Sequence, residues 1–433
     1  MSDEQKQLIA FLKKKGIGKT MSKSLSADDC AIALPLFSHP NCHLTTQATL
    51  LTALLSLKKN SDEENLLIQL KKSSLHPTLS ALLNLQKQKS SLFNVSLNTI
   101  RHLNLNYTDA KQNFRSIFEH QEPEENKAIF LEALRLKEET FEENTACLDL
   151  FFESVNHHPV HTNCLLDIAT PYDGFTRSQL IIPFVAAVLA SLQLPCILHG
   201  LNEVAPKYGQ TIHQLLKAAG KTVTQSPFQA AQQIENTSVG WAYIDQSQFF
   251  PKLFELRELR KRMVKRPLLA TMEKFLQPIK SREKNFLLTG YTHPPYRIKT
   301  LTFIKHLKAW DKALVLRGRE GAAQLNLDRR SPFVTYLKTE DTLNTQSQYI
   351  SPEDFGFTRF EKDQQDFHQP IQTALSLGIE ALNNKKNDTY IAIVYHAAFL
   401  YSELMNVSRE ESVNLVKTAI ATKKALSHWQ NAL

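Results

Sequence analysis

The chain has few cysteines. The five present, Cys30, Cys42, Cys147, Cys164 and Cys196, are odd in number and nowhere spaced as C-x-x-C. That excludes a disulfide framework and a zinc site and points to free thiols in a reducing compartment. An apolar run of membrane-spanning length is also missing: the longest candidate, Leu180–Leu198, is interrupted by Pro183, Gln193 and Pro195. The opening MSDEQKQLIAFLKKKG is too polar for a secretory signal. No helix-turn-helix, zinc-finger or RNP signature occurs, so sequence-specific reading of nucleic acid is not expected. These absences together predict a cytoplasmic protein without membrane contact.

The chain does have enough length and apolar content for two or three domains, with 433 residues, 42% of them hydrophobic and 22% charged. Its net charge of +8 is unevenly placed. Lys252–Lys284 carries eleven Lys/Arg against four Asp/Glu, whereas Glu119–Glu153 carries eleven acidic residues against three basic ones. A concentrated basic segment suggests a polyanionic partner.

The first part of the chain is helical by pattern. Ser26 reads as an N-cap, and Leu50, Leu51, Leu54 and Leu57 follow helical spacing. The design then recurs. LSLKKNSDEEN (Leu55–Asn65) matches LRLKEETFEEN (Leu134–Asn144) at an offset of 79, and Phe37–His39 echoes Phe118–His120 at 81. A duplicated helical unit follows. Two amphipathic hairpins sharing L-x-L-K and E-E patterns by chance are the plainer alternative. From about residue 160, short apolar runs alternate with helical stretches. The expected strands are Leu165–Ala169, Cys196–His199, Trp241–Ile244, Phe286–Thr289, Ala313–Leu316 and Phe333–Leu337. Gly209–Ala219 and Pro295–Trp310 are helical stretches between them, Thr339–Gln348 is a polar surface loop, and Gln369–Leu433 returns to helix. The expectation is an α/β fold: an N-terminal helical region plus a larger domain with a mostly parallel central sheet.

The stretch LDIATPYDGFTRSQLIIPFVAAVLASLQLPCILHG (Leu166–Gly200) resembles the phosphoribosyl-diphosphate site of the anthranilate phosphoribosyltransferase family, glycosyltransferase family 3. FLEALRLKEETFEE (Phe130–Glu143), LVLRG (Leu314–Gly318), SPEDFGF (Ser351–Phe357) and the late IVYHAAFLYSELMN resemble further elements of that family in the same order, over residues 105–433. LHGLNEVAPKYGQTIHQLL (Leu198–Leu216), ELRELRKRMVKRPLLATMEKFLQP (Glu255–Pro278) and TGYTHPPY (Thr289–Tyr296) resemble a non-biosynthetic bacterial branch described as nucleic-acid-binding homodimers. The resemblance implies three segments: an extra helical module at 1–100, a family-type helical domain at 101–158, and an α/β domain at 159–433.

The substrate site departs from the family pattern in its first loop, at the second strand end and in the metal loop. The family's GTGGDG loop is matched by Thr170, Pro171, Tyr172, Asp173 and Gly174. Glycines let backbone N–H groups approach phosphates. Pro171 removes one donor and Tyr172 adds a ring. Asp173-Gly174 survives, with an ordinary turn as the plainer reading, and Ser178-Gln179 stands near the family's Asn-x-Ser-Thr contacts without reproducing them. The family's Lys-His-Gly-Asn becomes Leu198-His199-Gly200-Leu201, and His199 is more often structural than catalytic. Where the family has an Asp-Glu pair for magnesium, Gly318–Gly321 is followed by Ala322-Ala323, with Glu320 and Asp328 nearby but displaced. No metal or cofactor is expected, and magnesium only if the chain is a transferase. Gly16–Thr20 ends like a P-loop, but no apolar strand precedes it, which leaves a flexible basic arm.

The strongest positive signal is the basic stretch. Arg257, Lys261 and Lys265 fall at helical spacing, with Arg260, Arg262 and Arg266 alongside. Such a stripe would contact successive phosphates of nucleic acid. Its alternatives are a solvated helix face or an internal partner for Glu119–Glu153. Tyr172, Trp241, Tyr291 and Tyr296 are available for base stacking. The leading expectation is a homodimer that binds single- or double-stranded DNA or RNA without sequence preference, its phosphates following the basic helix near a degenerate cleft. The alternatives are a glycosyltransferase family 3 enzyme using Asp173, His199, Glu320 and Arg266, and a protein-interaction scaffold built on the doubled helices.

Overall fold

A computed structural model describes residues 1–339, 343–361 and 369–432. It divides into a helical unit, residues 1–151 with 252–272, and an α/β unit, residues 152–251 with 273–433.

The helical unit contains nine helices up to its junction: α1 Asp3–Lys15, α2 Ala27–Leu36, α3 Leu44–Ser56, α4 Ser61–Leu70, α5 Pro77–Leu83, α6 Ser91–Ile100, α7 Tyr107–Ser116, α8 Glu124–Lys137 and α9 Phe141–Ser154. The duplication is real, and its register is 80 residues rather than 79 or 81. Ser26 caps α2 and Asn106 caps α7. Asn60 and Glu63 cap α4 reciprocally, as Thr140 and Glu143 cap α9. Glu63 also accepts the Leu25 N–H and Glu143 accepts the Leu105 N–H, each at 2.9 Å. Both glutamates are fully buried, and each is neutralised by a lysine at 2.7 Å: Lys15 from α1 for Glu63, Lys137 from α8 for Glu143. The E-E-N identity had set the sequence match one residue off, because the buried, capping glutamate is the first of the pair in one copy and the second in the other.

The two copies do not form separate bodies, so the boundary expected at residue 100 falls inside one core. The equivalent helices α3 and α8 pack on each other, and Leu50, Leu54, Ile129 and Ala133 share a cluster with Leu8, Leu12 and Phe93. A helix surrounded on all sides has no polar face, and α3 meets that demand with leucine, alanine and threonine. Its buried Thr49 and Thr52 hydroxyls donate to the carbonyls of Thr45 and Ala48.

In the α/β unit, strands β1 His158–Val160 and β5 Ile279–Ser281 form a small parallel pair. The remaining strands, β2 Cys164–Ala169, β3 Cys196–Gly200, β4 Trp241–Asp245, β6 Lys284–Gly290, β7 Lys312–Leu316, β8 Ser331–Leu337 and β9 Gln348–Ile350, make one sheet ordered β4-β3-β2-β6-β7-β8-β9. All pairings from β4 to β7 are parallel, and the β7–β8 and β8–β9 pairings are antiparallel. All six expected strands are present. The fold is the expected one, and the strands were legible because parallel strands covered on both faces read as unbroken apolar runs. The helices Ile182–Ser191 and Asp388–Met405, buried along most of their length, cover the sheet. Of the expected loop Thr339–Gln348, residues 340–342 lie outside the described residues, as does Leu433 of the helical tail. The strand order reverses between β2 and β6, so the loops after β2, β3, β6 and β7 gather at one edge, where open α/β sheets hold their ligands.

Candidate functional site

The loop after β2 begins with Thr170, Tyr172 and Asp173, each under 5% exposed. The Tyr172 hydroxyl hydrogen-bonds Nδ1 of His199 at the end of β3. His199 Nε2 lies 2.9 Å from Oδ1 of Asp167 in β2. Burial, reinforced by the Glu273 and Asp167 carboxylates, raises the Tyr172 pKa well above the ordinary phenol value. The phenol therefore donates to Nδ1, and the imidazole hydrogen on Nε2 is donated to Asp167. This carboxylate–imidazole–phenol chain resembles an acid–base relay, yet none of its three side chains is more than 2% exposed. Nothing from solvent reaches it. Through these two bonds His199 ties β2, β3 and the loop together.

Gly174 sits at φ +74, and a Cβ there would lie 2.5 Å from the carbonyl oxygens of Gly209 and Gln210. The glycine serves that close chain crossing, where Phe175 bridges Gln210. A Cβ at Gly200 would meet the Tyr243 hydroxyl at 3.6 Å and its ring at 3.8 Å, ordinary contacts, so that glycine is not required by any tight approach.

The centre of the site is Glu320, which the sequence comparison had placed off the expected position. Its carboxylate accepts the backbone N–H groups of Thr176, Arg177 and Ser178 at 2.9–3.0 Å, with the Thr176 hydroxyl at 2.9 Å and the Lys207 ammonium at 3.2 Å. Successive N–H groups converging with a lysine form an anion nest. Burial alone would raise the Glu320 pKa. The Thr176 N–H, the Lys207 charge and the Arg177 N–H overcome that and bring it down to about 2. Glu320 holds this position at φ 58, a left-handed backbone that costs a non-glycine residue roughly 1 kcal/mol. Lys207 and the Thr176–Ser178 N–H row were missed in the sequence, because backbone donors carry no residue signature.

The loop's own carboxylate is committed to the nest, and Ala322 and Ala323 supply no ligand. Among the described residues, no group of three or more His, Cys, Asp or Glu could hold a metal ion.

The six stripe cations, Arg257 to Arg266, belong to the helical unit, and the expected stripe is broken. The helix Arg257–Met263 ends with Val264 in a left-handed conformation, so Lys265 lies beyond it and not on its face. Val264 points into the apolar core and thereby fixes the chain reversal. Arg260 is fully buried. Arg262 pairs with Glu124 at 2.7 Å, which makes part of the acidic segment its internal partner. Arg257 lies over the Phe254 ring at 3.5 Å. Lys261 and Arg266 are exposed, and Lys261 has Glu258 at 3.5 Å. Lys265 Nζ donates to the Lys13 carbonyl at 3.1 Å, beside the Gly16–Thr20 arm, whose Gly16 and Ile17 carbonyls receive Arg135. Burial, the Arg135 charge and the Lys13 charge lower the Lys265 pKa to about 8, with Glu132 opposing them. Of the four candidate stacking aromatics, Tyr172, Trp241 and Tyr291 are buried and only Tyr296 is exposed.

No family model matches the chain. An uncharacterized protein of Aquifex aeolicus (strain VF5) is 27% identical over 225 residues, 52% of this chain and 66% of that protein. The anthranilate phosphoribosyltransferase of Endomicrobium trichonymphae is 22% identical over 325 residues, 75% of this chain and 93% of that protein. Among solved structures, anthranilate phosphoribosyltransferase from Thermus thermophilus superimposes with a TM-score of 0.64 at 20% identity, covering 77% of this chain and 97% of its own. The Saccharomyces cerevisiae enzyme in complex with PRPP and Mg gives 0.66 at 13% identity, covering 79% and 97%. The chain has the fold of these phosphoribosyltransferases.

Proposed function

We propose that the protein binds nucleic acid without sequence preference and does not transfer phosphoribosyl groups. The observation that carries the binding reading is the gathering of Lys13, Arg135 and Lys265 in the helical unit, where burial first, and then the Arg135 and Lys13 charges, lower the Lys265 pKa to about 8. Lys261 and Arg266 of the same segment are also exposed. The functional cations are therefore not the helix stripe but the turn after it, together with the N-terminal arm. Lysine and arginine contacts to phosphate give affinity without base readout, and each neutralised phosphate steepens the salt dependence by about 0.9 in log–log slope. The self-occupied nest at Glu320 supports the second half of the reading, since a substrate phosphate would have to displace a carboxylate already held there. The test is fluorescence anisotropy with labelled single- and double-stranded oligonucleotides from low to high salt. Binding that weakens linearly on the log–log plot is expected, and affinity that does not change with salt would remove the proposal.

The second reading, a phosphoribosyltransferase, is favoured by the curated relatives at 22–24% identity over about three quarters of the chain. Calorimetry with phosphoribosyl diphosphate and magnesium separates the two. No saturable heat is expected, and tight saturable binding would make transfer the better account.

A further inference from the structure

Lys221 and Lys265 both have their pKa lowered to about 8, first of all by burial, yet their surroundings differ. Lys221 belongs to the α/β unit. Its Nζ donates to the Trp429 and Ala432 carbonyls at 2.6 and 2.9 Å and lies 4.8 Å from the Trp429 ring centre and 6.0 Å from that of Trp241. Burial alone accounts for its pKa. Lys265 belongs to the helical unit, just past the left-handed Val264. Its Nζ donates at the surface to the Lys13 carbonyl, 3.1 Å away in the last turn of α1, where helix carbonyls lack internal donors. Glu132 favours the Lys265 charge, but both of its carboxylate oxygens are held by Arg135, at 2.7 and 2.9 Å. Among the described residues Lys265 has no ion pair of its own. It is an amine flanked by the Lys13 and Arg135 cations and answered only by a carbonyl.

We infer that Lys265 is a modification site whose amine takes the acyl group of an acyl phosphate. A lysine beside other cations is an activated nucleophile, because its neutral form is favoured. The same cations attract the phosphate of the donor. At pH 7.5 about a quarter of Lys265 is neutral, against roughly one part in a thousand of an ordinary lysine. The Nζ lone pair attacks the acyl carbon, the bond from that carbon to the phosphate oxygen breaks, and inorganic phosphate leaves. The proton shed by Nζ passes to the phosphate or to water, and a neutral amide remains. A lowered pKa does not by itself select the residue: Lys221 shares it, but carbonyls and indole rings enclose its Nζ and no flanking cation draws a donor in. The consequence for function rests on the nucleic-acid reading. Acylation removes one cation from the patch, so the log–log salt slope of oligonucleotide binding should become about 0.9 shallower.

The test incubates the full chain with acetyl phosphate at pH 7.5 and follows acetyl-lysine at each position by mass spectrometry, with the uncharged p-nitrophenyl acetate as the comparison donor. With acetyl phosphate, Lys265 should be acetylated about tenfold faster than Lys221 or the exposed Lys19 and Lys261. With the uncharged ester its lead over Lys261 should shrink. Lys13→Gln removes one flanking charge at an exposed position and should leave the melting temperature unchanged. It should slow the acetyl phosphate reaction at Lys265 about threefold and the ester reaction less. The inference is overturned if Lys265 reacts no faster than Lys261, if Lys221 is acetylated as fast, or if Lys13→Gln slows both donors equally. Acetylation is read from mass alone, so a chain that fails to bind oligonucleotides would remove the nucleic-acid reading and leave the modification site standing.

Discussion

Two regions of this chain handle negative charge in opposite ways. At the edge of the parallel sheet, three backbone N–H groups and Lys207 form an anion cradle, and the protein fills it with its own Glu320. In the helical unit, Lys13, Arg135 and Lys265 are brought together with Glu132, which pairs with Arg135 at 2.7 Å, while Lys261 and Arg266 are exposed. The first region is electrostatically closed, whereas the second retains a positive surplus. A cradle built into a fold therefore does not by itself imply a phosphate ligand. What decides is whether a group of the same chain already satisfies the donors.

The sharpest way to break the contrast is charge reversal in the open region. Lys13→Glu, Lys261→Glu and Arg266→Glu together should weaken oligonucleotide binding about a hundredfold or more at low salt, with the melting temperature little changed because all three side chains are exposed. Anisotropy and thermal melting check both halves. Unchanged affinity would mean the surplus is not a binding surface.

The closed region should respond in stability. Glu320 titrates at about 2 when folded against about 4.3 in an unfolded chain, a difference worth about 3 kcal/mol. The pKa is depressed on folding, so this stabilisation is fully present above about pH 4.3 and is lost as pH falls towards 2. Glu320→Gln should melt several degrees lower at pH 7 and lose much less than the parent between pH 5 and 2.5. Urea unfolding across that range checks it. A variant as stable as the parent at pH 7 would mean that the nest does not depend on the charge.

Much of the fold was legible in the sequence, and little of the site was. The buried strands announced themselves because a parallel sheet needs apolar residues on both faces, as Cys164–Ala169 shows. The duplication was visible, but its register was not. Chance identity at Glu64 and Glu143 outweighed the true equivalence of Glu63 and Glu143, which rests on N–H and lysine partners that no letter code displays. The loss of the glycine loop was plain in Pro171 and Tyr172, whereas its counterpart was hidden: Glu320 and the Thr176–Ser178 N–H groups are over 140 residues apart and meet through backbone atoms. The arginine stripe misled for a local reason. Helical spacing was extended through Lys265, while Val264, needed by the core, turns the chain at that point.

A smaller effect tests the surplus by titration. Lys265 loses its proton at about pH 8, so the patch carries one charge fewer at pH 9 than at pH 7. Its pKa is depressed on folding, so protonation opposes the folded state, and stability should rise slightly as pH increases from 8 towards 10.4. Oligonucleotide binding should move the other way, with a log–log salt slope about 0.9 shallower at pH 9. Lys265→Arg, which stays charged, should abolish the difference in slope.

The smallest effect concerns Arg262, a member of the predicted stripe that is ion-paired to the acidic segment. Its pair with Glu124 is about one-third exposed on each side, so solvent screens it, and coupling of about 0.2–1 kcal/mol is the ordinary range for such geometry. A double-mutant cycle with Arg262→Gln and Glu124→Gln should return that coupling in urea unfolding and shrink it in high salt. Oligonucleotide affinity should move less than threefold, because this guanidinium is already answered from within the unit. A tenfold loss on Arg262→Gln alone would reverse the comparison: the pair would then open to admit phosphate, and internal neutralisation would not mark a charge as closed.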